Sequence, residues 1–207
     1  FDELYIIFQC SFYSMTNSYF KKVSILKGFS FKLFFYHVRS TIGLFFGGIM
    51  KTIKLSCAHA LFKYLIAQKT IIDGKKLPLF PGAFAIYGHG NVACLGQAME
   101  EFQSDLPGYR GHHEQSMALT GIGYARAMRR KQIFIATSSV GPGATNMVTA
   151  AAVAMSNRLP ILLLPGDTFA SRFPDPVLQQ VENFNSPIET ANDTFKSVSK
   201  YFDRITR

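Results

Sequence analysis

Two short segments of this 207-residue chain hold the residue types that chemistry in a cleft requires. Residues 111–115 (GHHEQ) place the carboxylate of Glu114 at the start of a predicted helix, and residues 138–146 (SSVGPGATN) form a glycine-rich loop before another predicted helix. Glycines on both sides of a proline make a compact loop that lets a ligand approach the backbone, and the helix that follows offers free amide donors. The two segments together predict one working acid beside the wall of a ligand pocket.

Each segment also has a purely structural interpretation. An acid in the first turn of a helix is stabilised by the helix dipole, which by itself would account for Glu114. The glycine-rich loop lacks the lysine and the serine or threonine of a P-loop, which disfavours triphosphate binding. Neither His112-His113 nor any other set of His, Cys, Asp and Glu residues has the spacing of a metal site.

A third segment, residues 88–93 (GHGNVA), matches the GxGxxA pattern of a dinucleotide-binding turn. It follows a predicted strand and opens a predicted helix that Asn91 would cap, which is the context such a fingerprint needs. The alternative is that its glycines only allow a tight turn between strand and helix. His89 on this loop is either a solvated histidine or a substrate contact.

The elements that must position these segments alternate between strands and helices. Continuous apolar strands covered by helices predict an α/β fold, with a parallel sheet and helices on both faces. Ligands of such sheets bind beyond the carboxyl ends of the strands, where all three segments lie. The predicted strands are 83–87, 132–137 and 160–164; the predicted helices are 56–68, 91–102, 114–130, 143–156, a short one at 177–184, and a final amphipathic one at 193–207.

Charge and cysteine content narrow the function classes. The net charge is +9, but the one basic cluster after residue 50, at 126–131, closes a predicted helix, where cations complement the helix dipole. No aromatic residues interleave with it as in a nucleic-acid patch, so we expect no nucleic-acid partner. The three cysteines show no CxxC spacing, which fits a reducing compartment and predicts a cytoplasmic protein.

Residues 1–49 differ in composition from the rest of the chain. They are rich in Phe, Tyr, Ile, Ser and Lys without a steady period, and their lysines interrupt every apolar run long enough to cross a membrane. We therefore predict a non-homologous extension and no membrane association, with the hypothesis that the extension is translated upstream sequence and the true start is Met50. Residues 50–207 are predicted to form one domain.

The combined motifs resemble the thiamine diphosphate-dependent enzymes of the acetolactate synthase type. The similarity lies in His113-Glu114-Gln115, in the downstream sequences GYAR (123–126) and IATS (135–138), in GPGATN (141–146), and in the strand that ends in PGD (165–167). Their order and spacing are those of the amino-terminal, pyrimidine-binding domain of that family.

The resemblance implies thiamine diphosphate as the cofactor, with the carbanion chemistry supplied by its thiazolium ring. It implies that Glu114 is catalytic and binds the aminopyrimidine ring of the cofactor, favouring its imino tautomer. Gly141, Pro142, Gly143 and Asn146 are then cofactor-binding residues. His89 and Gln115 are candidates for the substrate pocket, again through the resemblance.

The family resemblance also sets an expectation for what this chain lacks. Magnesium and the diphosphate are held in the family by a Gly-Asp-Gly…Asn-Asn segment of a carboxyl-terminal domain, which is not found in this sequence. The active site forms between domains of two subunits, which implies a homo-oligomer of at least two subunits acting on a small-molecule substrate. The chain is thus expected to be an inactive fragment without the middle and carboxyl-terminal domains.

Three loops distinguish a branch within the family. Residues 87–92 (YGHGNV), the longer SSVGPG loop at 138–143 and the segment 172–180 (RFPDPVLQQ) resemble a branch that opens a cyclic dione ring by hydrolysis. Two alternatives stay open: a fragment of an acetolactate synthase-like carboligase, and a non-catalytic, stand-alone pyrimidine-binding domain.

Overall fold

A six-stranded, wholly parallel sheet forms the centre of the molecule. The computed structural model describes residues 6–11, 21–23, 53–168, 181, 185–186 and 189–205. In these residues the strands of the sheet are β1 (Ile6–Ser11), β6 (Ala83–Ala85), β7 (Gly108–Arg110), β8 (Ile135–Ser138), β9 (Leu162–Asp167) and β10 (Tyr201–Ile205). Their order across the sheet is β10-β1-β9-β8-β6-β7.

Two small antiparallel pairs accompany the main sheet. One pairs β2 (Lys21–Val23) with β3 (Ile53–Leu55). The other is a hairpin of β4 (Lys69–Ile72) and β5 (Lys75–Pro78) around the predicted turn, where Asp73 and Gly74 both adopt positive φ. The hairpin itself was not predicted from the sequence.

Helices cover the sheet and begin near strand ends. The described α-helices are α1 (Cys57–Ala67), α2 (Gln97–Glu101), α3 (Glu114–Ala127), α4 (Pro142–Thr145) and α5 (Val148–Asn157). Ser56 caps α1 by accepting a hydrogen bond from the backbone N–H of His59, as the sequence predicts. A π-helix (Val92–Gly96) leads into α2, and a 3₁₀-helix (Ala191–Ser197) precedes β10.

Two apolar clusters, one on each face of the sheet, confirm the predicted α/β architecture. Successive strand residues point to opposite faces. Leu162 and Leu164 belong to the cluster under α1 and α2, whereas Leu163 between them belongs to the cluster under α3 and α5. Ile135 and Ala136 divide between the two clusters in the same way.

The carboxyl-terminal segment corrects one prediction. The predicted helix over 193–207 is wrong: the 3₁₀-helix ends at Ser197 and the chain then extends into β10. Arg204 on β10 places Nε 3.3 Å from Oδ2 of the buried Asp167, and Nη2 2.8 Å from Oδ1 of Asp193. Strand pairing and this ion-pair network therefore override the helical spacing of the apolar residues.

Further boundaries differ from the predicted ones. Gly166 and Asp167 lie in β9 and not in a turn, and the predicted helix over 143–156 is two helices, α4 and α5. The helix predicted to reach residue 130 ends at Ala127. The short helix predicted at 177–184, apart from residue 181, and the segment 172–180 lie outside the described residues. Among the helices that are described, none is long and apolar enough to cross a bilayer.

Candidate active site

Glu114 is the first residue of α3 and lies at the carboxyl edge of the sheet. His113 caps the helix, with Nδ1 3.4 Å from the backbone nitrogen of Ser116, so the glutamate carboxylate occupies the first turn, where the helix dipole favours negative charge. The residue is partly buried. Asn146 donates a hydrogen bond from Nδ2 to Oε2 of Glu114, at 3.0 Å. One carboxylate oxygen is thereby fixed by the protein.

The glycine-proline-glycine loop packs directly against this carboxylate. A Cβ atom on Gly143 would lie 3.3 Å from Oε1 of Glu114 and 3.3 Å from Cβ of Ser139, so a side chain there would fit only if these neighbours shifted slightly. Gly141 has φ 59° and ψ −115°, and Pro142 is the first residue of α4. The structure thus brings the predicted acid and the predicted loop together.

The third segment, residues 88–91, closes the same edge of the sheet. The carbonyl of His89 accepts hydrogen bonds from the backbone N–H of Val140 at 3.1 Å and from Oγ of Ser139 at 3.3 Å. Gly90 has φ +90°, and a Cβ atom there would lie only 2.5 Å from Cγ1 of Val140. The space that a dinucleotide would need beside this glycine is filled by protein, which favours the tight-turn interpretation.

The predicted capping role of Asn91 is wrong. Asn91 occupies the position before the π-helix, but its side chain makes no capping hydrogen bond. It turns back into the protein, where it is fully buried and contacts the strand ends. Asparagine suits both a helix cap and a buried hydrogen-bonding link, and its position in the sequence did not distinguish between these two roles.

A cleft of about 380 Å³ opens beside Glu114. Sequence reasoning selected only the glutamate among the side chains that border it. The others lie at or just beyond the carboxyl ends of two adjacent strands, β6 and β7. Ligands of parallel sheets bind at these strand ends, and this rule was the signal that could have identified them. The cleft is lined by Ile86, Tyr87, Arg110, Gly111, His112 and Glu114.

The two predicted substrate contacts lie near this cleft but do not line it. His89 is exposed on its loop, as predicted, and Gln115 is partly buried on the first turn of α3. Neither is among the residues bordering the 380 Å³ cleft. Their assignment to the substrate pocket stays a prediction.

Comparison with protein-family models gives one match. Residues 82–186 match the model described as "Thiamine pyrophosphate enzyme, N-terminal TPP binding domain", and this span covers half of the chain and all three loops of the site.

The chain belongs to this family. The family resemblance predicted from the motifs is therefore confirmed, and so is the parallel α/β fold that it implied.

Relatives in this thiamine pyrophosphate enzyme family are highly similar over most of the chain. A protein of Clostridium tetani named 3D-(3,5/4)-trihydroxycyclohexane-1,2-dione hydrolase is 55% identical over 158 residues, which are 76% of this chain and 24% of that protein. Proteins of the same name from Geobacillus thermodenitrificans and Listeria innocua are 54% and 50% identical, again over 76% of this chain and 25% of theirs. The chain spans about a quarter of the length of these relatives.

The residues at the rim fit the pyrimidine half of thiamine diphosphate. Because Asn146 holds Oε2 of Glu114, the carboxylate has a fixed orientation, and the residue borders a cleft that is also lined by the apolar Ile86 and the aromatic Tyr87. Arg110 and His112 border the same cleft. Apolar contact from Ile86 and Tyr87 beside one oriented acid suits a heteroaromatic ring that carries a hydrogen-bonding nitrogen. Among the described residues no group of three or more His, Cys, Asp or Glu side chains could hold a metal ion.

Proposed function

We propose that this chain is the amino-terminal, pyrimidine-binding part of a thiamine diphosphate-dependent hydrolase that opens the ring of trihydroxycyclohexane-1,2-dione. The supporting observation is the 50–55% identity to proteins of that name over 76% of the chain, which includes the glutamate and loops of the site. The product of that ring opening is the open-chain acid 5-deoxy-glucuronate. In this proposal the rest of the active site lies in domains outside this sequence.

Glu114 is the proposed catalytic residue. When bound, thiamine diphosphate supplies the electron sink for carbon–carbon bond cleavage. The carboxylate of Glu114 would hydrogen-bond the pyrimidine ring nitrogen of the bound cofactor and would hold a proton at that position, which favours the imino tautomer. Asn146 occupies Oε2, which leaves Oε1, beside Gly143, as the oxygen that takes this proton contact. Gly141 and Pro142 set the path of the loop that brings Gly143 to this position.

Several parts of the proposal depend on residues beyond this chain. Magnesium and the diphosphate bind in a further domain, and the working enzyme is a cytoplasmic homo-oligomer of at least two subunits. Within this chain, His89 and Gln115 are the proposed substrate contacts at the rim. The chain alone then binds cofactor weakly and is inactive.

The deciding experiment uses the longer protein that contains this chain. Glu114→Gln keeps the shape of the side chain but removes its ability to accept a proton, so we expect turnover of the cyclic dione to fall by about 10²–10⁴-fold. Turnover near the unmodified level would refute the role of Glu114. Assays of the unmodified protein with pyruvate test the alternative: acetolactate formation without ring opening would identify a carboligase, and inactivity on both would favour a non-catalytic domain.

A further inference from the structure

Asn91 makes a buried set of hydrogen bonds at the carboxyl edge of the sheet. Its Oδ1 accepts from the backbone N–H of Gly88 at 2.9 Å, and its Nδ2 donates to the carbonyl of Ile86 at 3.0 Å. The same Nδ2 lies 3.2 Å from Oγ1 of Thr137. The Asn91 side chain is fully buried, and its bond to Thr137 lies between two buried groups, where a hydrogen bond is stronger than in water.

Thr137 extends this set to a third strand. Its hydroxyl donates to the carbonyl of Leu164 on β9 at 2.7 Å while its oxygen accepts from Asn91. Hydrogen bonds of two side chains therefore connect the ends of β6, β8 and β9 in one continuous chain. Removing one member leaves buried partners unsatisfied, which makes such a chain sensitive to single substitutions.

The Asn91 side chain fixes the wall of the cleft on one side. Its bonds to Ile86 and Gly88 bracket Tyr87, and Ile86 and Tyr87 both line the cleft beside Glu114. The carbonyl of Asn91 accepts from the N–H of Gly96, five residues ahead, which is the spacing of the π-helix. The wide helical turn thus begins at the residue whose side chain is directed into the sheet.

The same loop contacts the glycine-proline-glycine loop. The carbonyl of His89 accepts the N–H of Val140, and Gly90 leaves no room for a side chain beside Val140. Val140 immediately precedes the turn that carries Gly143 to Glu114. The position of residues 88–90 therefore affects both walls around the acid.

We propose that Asn91, with Thr137 as its partner, is a positioning residue that holds residues 86–90 against residues 139–141 and so sets the shape of the pyrimidine cleft. It acts through backbone groups and touches neither cofactor nor substrate. The consequence for cofactor binding rests on the proposed function above, whereas the consequence for the loops does not.

The test compares Asn91→Leu with Gln132→Met. Gln132 is also a buried amide that bridges distant groups, since it accepts from the hydroxyl of Tyr124 at 2.8 Å and donates to the carbonyl of Pro78 at 2.8 Å. It lies before β8, at the opposite edge of the sheet. Both substitutions replace an amide by an apolar side chain of similar size, so they control for the general loss of buried hydrogen bonds.

Amide hydrogen exchange of Val140 in the 207-residue chain is the primary measurement. The bond of this N–H to His89 is untouched by either substitution. We expect local exchange at Val140 to become about tenfold faster in Asn91→Leu and to stay within about twofold in Gln132→Met. Equal effects of the two variants would overturn the proposal. Where Asn91→Leu does not fold, Thr137→Val takes its place in the test, and we expect the same faster exchange at Val140. Exchange should stay slow in Thr137→Ser, which keeps the hydroxyl.

Thiamine diphosphate binding to the longer protein separates this inference from the proposed function. A dissociation constant raised about tenfold in Asn91→Leu, with no change in Gln132→Met, supports the effect on the cleft. An unchanged dissociation constant in Asn91→Leu, together with fast exchange at Val140, would overturn the claim that Asn91 sets the shape of the cleft. If the unmodified protein binds no thiamine diphosphate, the proposed function fails, and the exchange data still decide whether Asn91 positions the loops.

Discussion

Gly143 lies between the carboxylate of Glu114 and Ser139, an earlier residue of the same loop. Because glycine has no side chain, the loop and the carboxylate can approach each other closely. An added methyl group would meet Oε1 of Glu114 and Cβ of Ser139, both at 3.3 Å, so these neighbours would have to move by a few tenths of an ångström. Because Oε1 is the oxygen that we assign to the cofactor, the substitution tests the geometry of that oxygen directly.

We expect Gly143→Ala to raise the dissociation constant for thiamine diphosphate in the longer protein about tenfold, which corresponds to about 1.4 kcal/mol of strain at the carboxylate. Gly123→Ala in α3 is the matched control, because nothing lies within 4 Å of its added methyl group. The control gains up to about 1 kcal/mol of stability from helix propensity and keeps normal binding. Normal binding by Gly143→Ala would contradict the assignment of Oε1.

Gly90 tests packing between the loops by a different route. Gly90→Ala combines an unfavourable positive φ with a contact of 2.5 Å to Val140, so we expect a loss of about 2–4 kcal/mol in the free energy of unfolding. Gly74→Ala has a positive φ as well but no atom within 4 Å, and should lose only about 1 kcal/mol. Urea unfolding of both variants measures the difference, and equal losses would show that the contact with Val140 is relaxed easily.

At the level of single residues, the sequence identified the acid and its loop because both are local motifs. Glu114, Gly143 and Asn146 were selected from neighbours along the chain, and the structure places them together. Ile86 and Tyr87 were not selected as site residues, because only the pairing of β6 with β7 brings the end of β6 beside the glutamate. Such contacts depend on strand order, which short motifs do not encode.

Among the elements, the carboxyl-terminal segment shows where periodicity misleads. Phe195, Val198, Phe202 and Ile205 have helical spacing, yet the first two lie in and just after a 3₁₀-helix and the last two in β10. Thr190 and Asp193 form a capping box that starts the helix two residues earlier than predicted. The strand that follows pairs with β1, from a segment in which the sequence showed no pattern.

Asp193 links these elements through charge. Burial favours its neutral form and would raise its pKa, but the backbone N–H of Thr190 and the cations of Lys196 and Arg204 outweigh burial and hold the pKa below its usual value. A carboxyl group whose pKa is lowered by folding stabilises the protein above its unfolded-state pKa. That contribution is lost as the pH falls through the folded-state pKa.

We therefore expect the free energy of unfolding to decline less between about pH 5 and pH 2 in Asp193→Asn than in the unmodified chain. At neutral pH the variant should be less stable, because Arg204 loses the carboxylate of Asp193 as a partner. Chemical unfolding at several pH values measures both effects, with Asp73→Asn on the exposed hairpin turn as the control. Parallel pH profiles for the unmodified chain and Asp193→Asn would contradict the prediction.

In the whole molecule, residues 1–49 contribute β1 and β2, although we predict them to be a non-homologous extension. β1 separates β9 from β10 and pairs in parallel with both. In contrast, β6, β7, β8 and β9 pair among themselves, and every described member of the two apolar clusters follows residue 50. The question is whether these four strands and their helices are sufficient to form a cooperatively folded domain without residues 1–49.

We expect a chain that begins at Met50 to unfold cooperatively in urea, because both apolar clusters remain intact. Amide exchange in β10 should become fast, since β1 is its partner in the described sheet. A non-cooperative transition would show that the first strand is needed for folding and would make residues 1–49 part of the domain. Slow exchange in β10 would show that β10 pairs with β9 when β1 is removed.

The architecture of the whole molecule followed from the sequence because the predicted strands at 83–87, 132–137 and 160–164 are mostly continuous apolar runs. Such strands fit a sheet that is covered by helices on both faces. The position of β1 between β9 and β10 did not follow, because order among parallel strands depends on contacts far apart in the chain. The branch assignment rested partly on residues 172–180, which are not described, and the identities to the relatives support it independently.

The order of the central strands also has a consequence for biosynthesis. Ala83 pairs with Gly108 on one side but with Ile135 on the other, and Ile135 in turn pairs with Leu162. A growing polypeptide on the ribosome therefore lacks the last of the strands β6 to β9 until Leu162–Asp167 has left the exit tunnel. The apolar faces of the earlier strands stay open to chaperones during that interval. Ribosome-bound chains arrested before and after that point should differ sharply in protease resistance.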